Sequence, residues 1–447
     1  MEKKIQIIIQ FVEKNYVLSV LLFAVFFRLF ILLFIFDEVM IFNDSESYII
    51  PAKQLFAFDL SQYDCTRSFG YPLLIAILQV NLKHVIYFQY IIGIISLYFT
   101  AKTLLNLNFS KVQGFITTIV IHIISALFFY ESSLLMETLL LFIFSILFYL
   151  LSTNYLKQPT VVMTSLLIVL FCLLILTKPF FVYLPFLIVF LIFLSTRTRF
   201  IFQQLSLLIL PSLVFVMWCG FVKSKTGYFV TSTMFGIYKI QNCVYFAEKG
   251  PKTYQWIIDP YVKHRDYLLK EEGYAAMAIW KAYEAGEFDT QKKDFLALNK
   301  DFEDFAIQTI SEHPFDFLYQ VIMRSWFDFW KVDINFDFTK FHFKEDNVLV
   351  ETIWVLKRIP KMVFFGFKWM FVGLTFYYNY LYLRYRKNFT LFAYTFIVFS
   401  SSILQALATY GTNERYSFPF EIIIICVVVN WFLKTRFRSC FFIKPFI

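Results

Sequence analysis

Apolar runs of about twenty residues, each stopped by a basic residue or a short polar turn, recur along this chain from near its start to near its end. Only a helix satisfies its own backbone hydrogen bonds in hydrocarbon, and it needs about that length to cross. The runs fall near 17–36, 83–101, 112–130, 134–156, 160–195 (two runs hinged at Thr177, Lys178 and Pro179), 200–222, 361–382, 389–409 and 416–433. That predicts about ten spans and an all-α polytopic membrane protein. With 59% apolar residues and 61 Phe against 12 Gly, an ordinary soluble domain is excluded.

The net charge of +9 does not indicate nucleic acid, because the basic residues gather where the runs end. Lys3, Lys4 and Lys14 precede the first run; Lys102, Lys157, Arg197, Arg199, Arg384, Arg386, Lys387, Lys434, Arg436 and Arg438 border others. All fall on one side, which predicts cytoplasmic N- and C-termini in the cytoplasmic membrane. The first run is too long for a signal-peptide core and lacks a small-residue cleavage site, so it should stay as a span. Four segments then share the outer face: residues 42–76, the turn at Glu131, the hinge at Lys178, and residues 412–415.

Three regions follow. Residues 1–222 form a transmembrane module whose first outer loop is 37–82. Residues 223–360 hold much of the charge, including RDYLLKEEG and QKKDF, and read as a mainly helical extracytoplasmic insertion lying on the membrane; within it, 301–330 has helical periodicity broken at Pro314, with Trp326 and Trp330 suited to an interfacial belt. Residues 361–447 carry the last spans.

The first outer loop reads FNDSESYIIPAKQLFAFDLSQYDCTRSFGYPLLIA. Asp44, Tyr48 and Ala52 are four apart and share one helix face, while Pro51 predicts a kink and Pro72 suits the first turn of the next helix. NDSE also fits a plain helix start, with Asn43 as N-cap and Glu46 as capping-box partner, or Asp44 itself as cap. Read functionally, Asp44 is a carboxylate able to take a proton from a hydroxyl, its pKa raised by apolar surroundings, and Glu46 shares that role or helps hold a divalent metal. Arg67, Lys178 and Arg415 suit a lipid phosphate at head-group level; snorkelling, or for Arg415 an ion pair with Glu414 or Glu421, is the structural alternative. Glu131 and Glu137, at the start of an apolar run, are expensive there and are candidates to position a substrate; Arg28 in the first run reads as structural.

Six cysteines show no metal-ligand spacing, and the five histidines are scattered. Cys65 and Cys243 alone fall on the oxidising side, either paired or, more plainly, as two free thiols. No HExxH, GxSxG, P-loop or GxGxxG appears, which removes the common metallohydrolase, serine-hydrolase and nucleotide-driven signatures.

The ordered set NDSESY with Ala52, TRSFGYPLLIA, METLLLFIF, LTKP, KTGYFVTSTMFG, ISEHPFDFL and NERYSFP resembles the GT-C integral-membrane glycosyltransferases over nearly the whole chain. The resemblance implies a GT-C-like helical bundle that moves a sugar from a polyprenyl-phosphate donor to a glycan, lipid or protein acceptor on the outer face of the membrane, with inversion. It implies Asp44 as base or metal-site residue, Glu137 as the acid of the fourth span, Arg67, Lys178 and Arg415 around the donor phosphate, and Tyr48 and Tyr71 as positioning groups. Phe69 stands where the family has Pro, and Ser45 separates the two acids that the family sets side by side. Two other classes are a lipid-linked glycan flippase or transporter, which would carry its charges near the midplane in paired halves, and an O-antigen ligase or polymerase, which would place its key residues in a large late loop.

Overall fold

The computed structural model describes residues 2–35, 38–332, 358–411 and 413–434. The insertion beyond residue 332 up to 357, Thr412, Arg436 and Arg438 lie outside them. Among the described residues the fold is helical, with one isolated parallel bridge between Met40 and Ser133 and no strand. Six helices among the described residues are long and apolar enough to cross a membrane: Tyr16–Phe34, Leu82–Asn106, Pro179–Thr196, Ile201–Thr226, Phe389–Ala408 and Glu414–Lys434. This is an all-α membrane protein.

Lys111–Ile124, Glu137–Ser152 and Val161–Thr177 are apolar but shorter. The expected run 112–130 breaks at Ser125, whose backbone is extended, and restarts as Leu127–Ser132. The next helix begins at Glu137, three residues later than the apolar pattern predicts. Other segments take up the backbone groups freed by these breaks. Glu421 Oε2 accepts from Ala126 N (3.3 Å), Leu134 N donates to Met40 O (3.0 Å), and Ser45 Oγ donates to Leu134 O (3.0 Å). Hydropathy registers only that Leu134 and Leu135 are apolar; the partners that hold Leu134 out of a helix come from elsewhere in the chain.

The chain after residue 222 builds a second core around Ile237, Cys243, Tyr261, Phe302 and Phe305. There Phe235–Ile240 packs so tightly on Phe295–Glu312 that a Cβ on Gly236 would sit 1.8 Å from the Asn299 carbonyl oxygen. The segment Pro314–Gln320 continues through a π-helical stretch, Val321–Trp326, to Phe327–Trp330, and it departs from the sequence expectation. Instead of lining an interface, Trp330 is fully buried with Phe329 in the core of the spans, and Trp326 Nε1 donates to Ser402 Oγ (2.9 Å) on Phe389–Ala408. The pattern of 301–330 indicates helix but not what covers its aromatic face.

Candidate active site

The loop helix is Asn43–Phe56, preceded by Phe42 in extended geometry. At its start Ser45 Oγ accepts from Phe42 N (2.9 Å), and neither Asp44 nor Glu46 supplies a cap among the described residues. That leaves both oxygens of Asp44 for other partners. Arg67 Nη2 donates to Asp44 Oδ1 (2.9 Å), and Arg415 Nη1 donates to Asp44 Oδ2 (2.6 Å). Arg415 Nε also donates to Glu137 Oε1. Arg67, 23 positions from Asp44, and Arg415, 371 positions away, thus meet through one carboxylate.

Several neighbours hold Arg67 in place. Its Nε donates to Ser47 Oγ (2.7 Å), its guanidinium lies 4.8 Å from the centre of the Tyr48 ring, and its carbonyl accepts from Tyr63 OH (2.9 Å). Next to it, Ser68 Oγ donates to Thr177 O (3.1 Å), and Gly70 lies against Thr177 so closely that a Cβ would stand 2.4 Å from Oγ1 and 2.7 Å from Cα. The GYP turn therefore abuts the residue just before Lys178. A helix restarts at once, Gly70–Ile77, with Pro72 in its first turn as expected.

Lys178 closes Val161–Thr177, and its ammonium lies 3.3 Å from the centre of the Tyr416 ring, one residue beyond Arg415. Among the described residues it makes no hydrogen bond or ion pair. Burial lowers its pKa to about 7, with Glu137 and Asp44 opposing the fall and Arg415 and Arg67 adding to it. For Asp44 the structure corrects the sequence expectation. Burial pushes its pKa up, but Arg415 and Arg67 outweigh that and hold it at about 2. Apolar surroundings alone would make a proton acceptor; two guanidinium groups make a fixed anion.

The remaining predicted residues divide. Tyr48 and Tyr71 belong to the site: their rings meet edge to face at 5.1 Å, and both are buried. Tyr71 OH donates to Gln89 Oε1 (2.7 Å), and Gln89 Nε2 donates to the carbonyls of Glu131 and Ser133 (both 2.9 Å), which ties the loop to the break before Glu137. Glu137 is 1% exposed and joins the cluster through Arg415. Glu131 does not join it. It pairs with Arg28 at 2.5 Å inside the bundle, where Gly93 leaves the room, so Arg28 is structural as expected and Glu131 is its counter-ion.

Glu46 is exposed and meets no partner among the described residues, being two positions along the helix from Asp44 and so on another face. The residues present do not fit the divalent ion considered from sequence. Both Asp44 oxygens are engaged by guanidinium groups, and no three acidic, His or Cys groups converge among the described residues. Cys65 and Cys243 are free and buried in separate cores, one against Trp218 and Val222, the other in the second core. Arg415 pairs with Asp44 and Glu137, while Glu421 faces Lys368 at 4.0 Å. Sequence reading missed Lys368, a buried lysine whose Nζ donates to Ser417 Oγ (2.6 Å) and Lys331 O (2.8 Å); its one signal is a charge inside an apolar run.

No family model matches the chain, and no curated protein and no solved structure is significantly similar to it. The cluster around Asp44 therefore has to be read from its own chemistry.

Proposed function

We propose that this protein is an integral-membrane glycosyltransferase that takes a sugar from a polyprenyl-phosphate donor on the outer face of the cytoplasmic membrane. The observation that carries the reading is the convergence of Arg67, Arg415 and Lys178 beside the apolar helices, with one of the three cations lacking an anion among the described residues. Three cations, with Lys178 holding its proton, against Asp44 and Glu137 leave one positive charge. A polyprenyl-phosphate sugar is a phosphodiester with one negative charge, and its lipid tail needs a site beside the bilayer. A resident charge pair would need no such surplus, and a nucleic-acid surface would not sit among spans.

When the anomeric C–O bond breaks, the phosphate gains a second negative charge, and fixed cations at that point stabilise the departing group without moving. Asp44 anchors Arg67 and Arg415 for this task. In this reading about ten spans carry the site, both termini are cytoplasmic, and the second core, which packs beside Tyr410 and Gly411, faces the acceptor.

The test is binding and turnover by the purified protein in lipid vesicles. Polyprenyl phosphate should bind saturably, Lys178→Met should weaken that binding by about tenfold or more, and at least one polyprenyl-phosphate sugar should be consumed with a hydroxyl or phosphate acceptor present. Scrambling of the intact donor across the vesicle with no consumption would make the protein a flippase instead.

A further inference from the structure

Three buried polar atoms at the cluster have no hydrogen-bond partner among the described residues: Tyr48 OH, Glu137 Oε2 and Arg415 Nη2. They are not scattered. Arg415 Nε already holds Glu137 Oε1, Arg415 Nη1 holds Asp44, and Tyr48 lies beneath Arg67 within electrostatic reach of Asp44, Glu137 and Arg415. A buried donor or acceptor left unpaired keeps its full desolvation cost, so one donor and one acceptor left open on the same ion pair is a costly arrangement without a use. Arg415 Nη2 offers a hydrogen bond, and Glu137 Oε2 accepts one. A neutral hydroxyl is the group that satisfies both, since its oxygen accepts from the first and its proton goes to the second; a phosphate oxygen would satisfy Arg415 and be repelled by Glu137.

We propose that Glu137 is the general base of the transfer and that the acceptor is an alcohol, its hydroxyl seated between Arg415 Nη2 and Glu137 Oε2. This rests on the glycosyltransferase reading. Asp44 has no free oxygen for the task, whereas Glu137 keeps one free oxygen in a water-poor position. In the step, the acceptor oxygen forms a bond to the anomeric carbon, the bond from that carbon to the phosphate oxygen breaks with its electron pair left on the phosphate, and the hydroxyl proton passes to Glu137 Oε2. The charges balance: the phosphate gains a negative charge as Glu137 loses one. The charged and titratable groups facing Glu137 are Arg415 and Lys178 from two hinges and Tyr48, Tyr71 and Tyr130 from the loop, the GYP helix and Leu127–Ser132. Tyr48 OH, also unpaired, is placed as a positioning donor.

The experiment compares full-length wild type, Glu137→Gln and Glu137→Asp in lipid vesicles, with polyprenyl phosphate as the binding probe and polyprenyl-phosphate hexoses and pentoses as donors, offered alcohol acceptors or phosphate acceptors. Gln keeps the Oε1 acceptor for Arg415, so polyprenyl phosphate should still bind within about threefold, while transfer to alcohols falls about 100-fold or more. Asp should restore part of the rate. Transfer by Glu137→Gln within about threefold of wild type, or transfer by wild type to phosphate acceptors only, overturns the role of Glu137 and leaves the glycosyltransferase standing. If wild type neither binds the probe nor consumes any donor, that underlying reading is overturned, and this inference with it.

Discussion

Lys178 and Asp44 show how far a residue's chemistry depends on its neighbours. The lysine titrates near 7 because burial outweighs two nearby carboxylates, so an anion that binds beside it must draw a proton to it as pH rises. Polyprenyl phosphate affinity should therefore fall as pH increases from about 6 to about 9, and Lys178→Arg, whose guanidinium stays charged, should flatten the profile; calorimetry at several pH values reads both. The sign for stability is opposite. An unfolded lysine holds its proton up to about 10.5, so above about 7 the unfolded chain binds more protons and the folding penalty at this residue is relieved. Asp44 acts in the same sense at lower pH: its contribution is present above the ordinary carboxylate range and is lost as pH falls through about 2, which keeps the cluster assembled across the neutral range. Asp44→Asn should weaken binding of polyprenyl phosphate, because Arg67 and Arg415 lose their common anchor, and should leave the shape of the pH–rate profile in place; a profile that loses its acidic limb would return the base to Asp44.

Between elements, close approach decides the geometry. Gly70→Ala puts a methyl group within 2.7 Å of the Thr177 backbone, where no flexible side chain can yield. It should lower stability by about 1–3 kcal/mol in thermal unfolding and weaken probe binding, since the turn that moves carries Arg67 and the segment it presses carries Lys178. The Arg28–Glu131 pair tests a different kind of contact. Arg28→Ala leaves a carboxylate unpaired inside the bundle and should cost about 3–5 kcal/mol, whereas the double change to Met and Gln should recover most of it, since burial of the pair itself adds little. Neither change touches the Asp44 cluster, so probe affinity in whatever fraction stays folded should match wild type.

At the scale of the whole molecule, a polar seam joins the second core to the segment leading to Arg415. Gln241 Oε1 accepts from Thr409 Oγ1 (3.2 Å), Asn242 Nδ2 donates to Ala408 O (3.0 Å), and the hydroxyls of Tyr245 and Tyr410 meet at 2.9 Å. Hydrogen bonds and packing hold the seam, and Cys65 and Cys243 add no disulfide, being free. Reducing agent should therefore leave the unfolding temperature unchanged, and thiol titration should find both cysteines only after denaturation.

The apolar runs alone determined a helical membrane protein, because a span's requirement is local: about twenty residues must satisfy one solvent. The same logic exposed Asp44, Arg67, Lys178, Glu137 and Arg415, since a charge beside an apolar run is conspicuous in one dimension. Which charges meet was decided only in three dimensions. Glu131 and Glu137 look alike in YESSLLMETLL, yet one neutralises Arg28 and the other holds Arg415, according to which helices pack beside them. Asp44 became a fixed anion instead of a high-pKa acid because two arginines, 23 and 371 positions away, arrive at its two oxygens. Electrostatic environment is a sum over neighbours in space, and distance along the chain carries almost none of it.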